Sequence, residues 1–158
     1  MTNIKIGTRG SKLALTQTNF VADKLKKAIP DAEVEICVIK TSGDIMQDVS
    51  LLTIGGQGVF VKEIEEALLS EKIDLAVHSM KDVPGENPEG LIFSAILPRE
   101  DVRDVLVSRN NIKLEFMPKG AKIGTGSQRR GAQIKALLPD VSIVPLRGNI
   151  ETRIKKIE

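Results

Sequence analysis

The sequence contains no tryptophan and no tyrosine, and only four phenylalanines among 158 residues. Its core must therefore be aliphatic, and the stacked rings that grip single-stranded nucleic acid are missing. The single cysteine, Cys37, cannot make an internal disulfide. It stands in the strand-like run Val34-Glu35-Ile36-Cys37-Val38-Ile39, where a buried, inert thiol is the expected reading. His78 is the only histidine, and no set of His, Cys and carboxylates has metal-ligand spacing. No metal and no Ser–His–Asp triad is expected. No apolar run is long enough to span a bilayer, so no membrane partner is expected. The chain opens directly on Ile4-Lys5-Ile6 with no charged-then-apolar leader, and a cytoplasmic location is the default.

What remains is ordinary for a globular protein: 41% apolar and 28% charged residues, enough for one solid core or two small ones. The net charge of +2 hides an asymmetry. Residues 1–118 carry 14 Lys/Arg against 18 Asp/Glu, while residues 119–158 carry 9 against 3. The second part should face something anionic, either nucleic acid or a polycarboxylate or phosphate ligand.

Apolar runs alternate with helical patterns. Strands are expected over 4–8, 33–40, 73–78 and 91–97, with helices over 11–28 and 59–70 between them. A strand at 104–108 and a polar turn at Arg109-Asn110-Asn111 follow. Then come a strand at 121–125, a helix at 127–138, a strand at 141–144 and the start of a helix at 149–158. This rhythm argues for an α/β fold with helices on the sheet faces. The charged segment around Pro98 is the candidate boundary between a first α/β domain, 1–98, and the N-terminal part of a second, 99–158.

Lys5-Ile6-Gly7-Thr8-Arg9-Gly10-Ser11 is echoed by Lys122-Ile123-Gly124-Thr125-Gly126-Ser127. Each ends a strand, passes through Gly and Ser and opens a helix, which suggests two related half-structures. Ser11 and Ser127 have two readings, as helix N-caps or as parts of anion sites built on free N–H groups. Arg9 beside one helix start and Arg129-Arg130 inside the other favour an anion, since cations there oppose the helix dipole. Arg147-Gly148-Asn149, ahead of a helix carrying Arg153, repeats the layout. Together these arginines suggest a clamp for several carboxylates, because guanidinium forks pair bidentately with them. Ile54-Gly55-Gly56-Gln57-Gly58-Val59-Phe60 reads as a flexible turn or a ligand-covering lid, and Phe60 as a stacking ring or core. In Val77-His78-Ser79-Met80-Lys81-Asp82-Val83-Pro84, Asp82 lies past the C-terminal end of a strand, where open α/β sheets bind ligands. A carboxylate fixed there could move a proton or stabilise a developing cation. His78 reads as structural.

These stretches, with Thr41-Ser42-Gly43-Asp44, Arg99-Glu100-Asp101, Arg103-Asp104 and Leu146-Arg147-Gly148-Asn149, resemble the porphobilinogen deaminase (hydroxymethylbilane synthase) family over essentially the whole chain. The resemblance implies a type II periplasmic-binding-protein-like fold with an incomplete second domain, the site lying in the cleft between the two. It implies a transferase of haem and tetrapyrrole biosynthesis. Four porphobilinogen units are condensed, with release of ammonia, to hydroxymethylbilane on a covalent dipyrromethane primer. Asp82 would be catalytic, stabilising the cation formed as ammonia leaves. Arg9, Ser11, Ser79, Lys81, Thr125, Ser127, Arg129, Arg130, Arg147, Asn149 and Arg153 would contact primer and substrate, as would Asp44 and Phe60. The full-length form would be a monomer with porphobilinogen, not nucleic acid, as its partner.

The sequence also departs from the family. The primer cysteine belongs to a third domain absent here, and Cys37 is not that residue, so the chain alone is expected to be inactive. Thr53 and Gln57 stand where family loops carry lysines, and Gly126 and Gln128 where serine and leucine are usual. The alternative is a non-catalytic binding module for a small polycarboxylate.

Overall fold

A computed structural model describes residues 2–45 and 60–157. The chain divides into two compact units, Met1–Ile96 and Leu97–Glu158, each with its own parallel sheet. The first unit runs β1 (Thr2–Thr8), α1 (Lys12–Ala28), β2 (Ala32–Val38), the single-turn α2 (Ser42–Ile45), α3 (Lys62–Leu69) and a two-residue β3 (Leu75–Ala76). Its strands lie in the order β2-β1-β3, all parallel. The β1–β2 register runs from Thr2 opposite Ala32 to Thr8 opposite Val38. The second unit contains β4 (Lys122–Thr125), α4 (Gln128–Leu137), β5 (Ser142–Pro145) and α5 (Ile150–Lys155). Strands β4 and β5 pair in parallel, with Lys122 opposite Ser142. A mixed α/β architecture with parallel sheets is what the alternating pattern called for.

Local chemistry explains the helices. Ser11 caps α1 by accepting from the Ala14 N–H at 3.3 Å, and Lys26 and Lys27 sit in its last turn, where cations complement the helix dipole. Thr18 is a β-branched residue inside that helix, and it is fully buried. Its hydroxyl lies 2.8 Å from the Ala14 carbonyl and 2.7 Å from the hydroxyl of Thr8, also fully buried in β1. The two hydroxyls satisfy each other and pin α1 to the central strand. On α3, Ile64 and Ala67 form a buried cluster with Ile73, against which Cys37, Ile39, Leu68 and Ala76 pack. In the second unit Ile123 and Val141 are buried, and Gly131 lets α4 lie close to the sheet. A Cβ at that position would sit 3.3 Å from Ile143 Cγ2. The polar turn at Arg109–Asn111 is a short 3-10 helix. Asn110 and Asn111 both take positive φ, 56° and 55°, a conformation asparagine tolerates better than most residues.

Three strand expectations need correction. The ladder of β3 holds only Leu75 and Ala76 rather than 73–78. Its hydrogen bonding nevertheless reaches further, because Asp74 N–H donates to Lys5 O at 2.9 Å and Val77 N–H to Gly7 O at 3.2 Å. Residues 91–97 and 104–108 form no strand at all. They have the β-branched composition of strands, but a strand also needs a neighbour, and none pairs with them among the described residues. Ile92 is 84% exposed and Val105 90% exposed in consequence.

The cluster around α3 yields a stability prediction. Replacing fully buried Ile64 by Ala should lower the unfolding free energy by about 2–5 kcal/mol in urea titrations. The same truncation at exposed Leu69 of that helix should cost less than about 0.5 kcal/mol. Equal effects would show that α3 is not packed as described.

Candidate functional site

Strand β1 delivers the first site residue. Arg9 follows Thr8, and its guanidinium donates from Nε to both oxygens of Asp44, at 3.1 Å and 3.3 Å, with Nη2 completing the fork. The same guanidinium lies 4.2 Å from the centre of the Phe60 ring. Phe60 in turn packs on the backbone of Gly43, where a Cβ would lie 2.2 Å from the ring carbon Cε1. Arg9, Asp44 and Phe60 are therefore one cluster. Burial by itself would raise the Asp44 carboxyl, but hydrogen bonds from Arg9 and Thr41 outweigh it and hold it below the usual carboxylate range. The Thr41–Asp44 turn is fixed from α3, because Glu63 Oε1 accepts from the Ser42 N–H at 2.8 Å and also from the Ser42 hydroxyl. Sequence reasoning missed Glu63, whose partner lies 21 residues away.

Past β3 the chain turns through a 3-10 helix at Met80–Asp82, closed by the Asp82 N–H donating to Ser79 O at 2.9 Å. A small cavity of about 40 Å³ brings Asp82, His78 and Ser79 of this turn together with Arg9, Ser11 and Gln17. Lys81 is exposed and does not line it. The Ser79 hydroxyl donates to Gln17 Oε1 at 2.9 Å, so toward a ligand it offers only lone pairs. Burial pushes the His78 imidazole below its ordinary value, with the Asp82 carboxylate opposing and the Arg9 charge adding to the effect. His78 is thus a neutral, partly buried ring at neutral pH, compatible with its structural reading.

In the second unit the expected helix starts are present. The Thr125 hydroxyl accepts from the Ser127 N–H at 3.1 Å, and the Ser127 hydroxyl accepts from the Arg130 N–H at 3.3 Å, matching the cap at Ser11. Asn149 caps α5 through Oδ1, which accepts from the Thr152 N–H at 2.9 Å. Ser11, Ser127 and Asn149 therefore all do the structural job. Each serine spends a lone pair on its cap and keeps a hydroxyl proton to donate elsewhere. Arg129 and Arg130 both bond Asp104, at 3.1 Å and 2.6 Å, and Arg129 also reaches Gln133 Oε1 at 3.0 Å. The hydrogen bonds from Arg130 and then Arg129 hold the Asp104 carboxyl below its usual range. Arg153 Nε donates to Gly148 O at 2.7 Å and ties α5 to the turn carrying half-buried Arg147. Gly126 fits tightly, since a Cβ there would lie 2.9 Å from the Leu146 carbonyl oxygen.

Residues 54–59 of the glycine-rich stretch, with Thr53 and Gln57, lie outside the described residues. Cys37 is half-buried in β2, and burial, then the neighbouring Glu35 charge, raises its thiol. It is a protonated, weakly nucleophilic group at neutral pH. Among the described residues no helix is long and apolar enough to cross a membrane.

A family model described as "Porphobilinogen deaminase, dipyromethane cofactor binding domain" matches residues 4–158. The porphobilinogen deaminase of Syntrophus aciditrophicus is 58% identical over 154 residues, covering 98% of this chain and 50% of that protein. Those of Bacillus subtilis and Geotalea uraniireducens are 55% and 56% identical, over 100% and 98% of this chain and 50% and 48% of their own length. The chain spans about half the length of the curated relatives it matches.

The single histidine makes one property of the site directly measurable. The His78 ring proton signal should titrate with a midpoint below about 6.5 by NMR, and Asp82→Asn should lower it further by removing the opposing charge. Because the folded value is depressed, the stability tied to the neutral ring is complete above about 6.5. It is lost as pH falls through the folded value. A midpoint at or above 6.5 contradicts the burial described for this ring.

Proposed function

Because the chain belongs to the porphobilinogen deaminase family, we propose that it supplies the N-terminal part of an enzyme that condenses four porphobilinogen units to hydroxymethylbilane. Ammonia is released at each addition. The two units are read as a first α/β domain, 1–98, and the beginning of a second, 99–158, of the type II periplasmic-binding-protein kind. The β2-β1-β3 parallel sheet in one unit and the β4-α4-β5 repeat of its strand–turn–helix motif in the other support that reading. We read the whole enzyme as monomeric and cytoplasmic, acting on a small molecule and with no nucleic acid as partner.

The observation that carries the proposal is the convergence of Asp82 and Arg9 on one cavity. Porphobilinogen and a dipyrromethane both present pyrrole N–H donors and acetate and propionate carboxylates. The residues here match that donor set: one carboxylate for N–H groups, and arginines with capped-helix serines for carboxylates. Asp44 occupies the Nε–Nη2 edge of Arg9 and leaves its Nη1 edge for a ligand carboxylate. When bound, the dipyrromethane supplies the nucleophilic pyrrole carbon on which the chain grows. Asp82 accepts hydrogen bonds from pyrrole N–H groups and stabilises positive charge as the C–N bond to ammonia breaks. Ser11, Thr125 and Ser127 donate hydroxyl protons to ligand carboxylates, and Lys81, Arg129, Arg130, Arg147 and Arg153 supply countercharge. Asn149 sets the start of α5, and Phe60 backs the Arg9 guanidinium. A carboxylate that engages Arg129 or Arg130 must displace or share Asp104. Cys37, near the end of β2 with a raised thiol, does not fit as the primer attachment.

In the whole enzyme, Asp82→Ala should lower kcat by about 100-fold or more while porphobilinogen still binds. If that variant turns over normally while Arg130→Ala abolishes binding of small polycarboxylates, the chain is a binding module instead. The chain alone, supplied with porphobilinogen, should give no sustained rise in tetrapyrrole absorbance. Sustained turnover would show that it needs no primer cysteine.

A further inference from the structure

We propose that Gln17, on α1, is a positioning residue that sets the place of Asp82 through the hydroxyl of Ser79. The inference rests on the role given to Asp82 above. The segment that carries Asp82 has few anchors of its own. Strand β3 pairs over two residues, Val77 makes the last backbone bond to β1, Met80 is 53% exposed and Lys81 is exposed. Ser79 is where the turn is held at both ends. Its carbonyl accepts from the Asp82 N–H at 2.9 Å, and its hydroxyl donates to Gln17 Oε1 at 2.9 Å, across 62 residues of sequence.

Gln17 can serve as a reference point because α1 is itself fixed. It is one residue from Thr18, whose buried hydroxyl meets Thr8 of the central strand. It is also three residues from Ala14, whose N–H is capped by Ser11. The helical spacing turns Gln17 toward the cavity that Asp82 and Arg9 share. Two short bonds, Gln17 to the Ser79 hydroxyl and the Ser79 carbonyl to the Asp82 N–H, thus tie the backbone that carries the Asp82 carboxylate to the element that Ser11 caps. A displacement of a catalytic group by about 1 Å is enough to reduce rate strongly. Loss of either bond should therefore appear in turnover before it appears in affinity.

The test is a double-mutant cycle in the whole enzyme with Gln17→Leu and Ser79→Ala, plus Gln17→Glu, which keeps an acceptor at the same reach. Each of the first two should lower kcat about 3- to 10-fold with KM within about twofold, the loss expected for one hydrogen bond. The double variant should be no worse than the singles, because both remove the same link. Gln17→Glu should recover part of the loss. Additive effects, a rise in KM at unchanged kcat, or full activity in Gln17→Leu would overturn the assignment. If Gln17→Leu does not fold, Ser79→Ala against Gln17→Glu decides the same point from the other side of the bond. Asp82→Ala is run alongside. If it turns over normally the function proposed for Asp82 fails, whereas if it alone is impaired only the role of Gln17 fails.

Discussion

Strand β1 is paired on both edges, and the chemistry of the first unit hangs from its C-terminal end. Its β2 edge is paired from Thr2 to Thr8 and its β3 edge at Ile6 and Gly7, so the C-terminal end is held from both sides. Thr8 closes it with a buried hydroxyl that meets Thr18, and Arg9 and Ser11 follow at once. From that fixed point the guanidinium reaches Asp44 on one side, and the helix capped by Ser11 reaches the Asp82 turn on the other. Misplacing β1 would disturb cap, ion pair and the Asp82 turn together.

The second unit solves a different electrostatic problem. Its last 40 residues carry a surplus of six positive charges, and two arginines sit in the first turn of α4, where the helix dipole repels them. Asp104 answers both. Being exposed, it does so at little gain in stability, since such pairs are screened by water and salt. That weakness suits the proposed role of these arginines, in which a ligand carboxylate displaces or shares Asp104.

The sequence made legible whatever depends on near neighbours. The caps at Ser11 and Ser127 could be read because cap and N–H lie three residues apart, and the helices because their apolar residues recur at fixed spacing. The strands at 91–97 and 104–108 were misread because composition reports a preference and cannot report a partner. For the same reason the motif residues were visible while their connections were not. The links from Arg9 to Asp44, Glu63 to Ser42, Arg130 to Asp104 and Ser79 to Gln17 span 35, 21, 26 and 62 residues. Serine at 79 suggested a ligand contact, and only its position showed the hydroxyl proton already spent.

The packing of Phe60 on Gly43 also constrains how this site can drift. With the ring resting where a side chain would begin, position 43 admits a larger residue only if position 60 shrinks with it. The same ring backs Arg9, so the exchange would alter the setting of the guanidinium too. Three positions far apart in the chain are thereby coupled, and a lineage that enlarges the glycine must shrink the aromatic and retune the arginine in step.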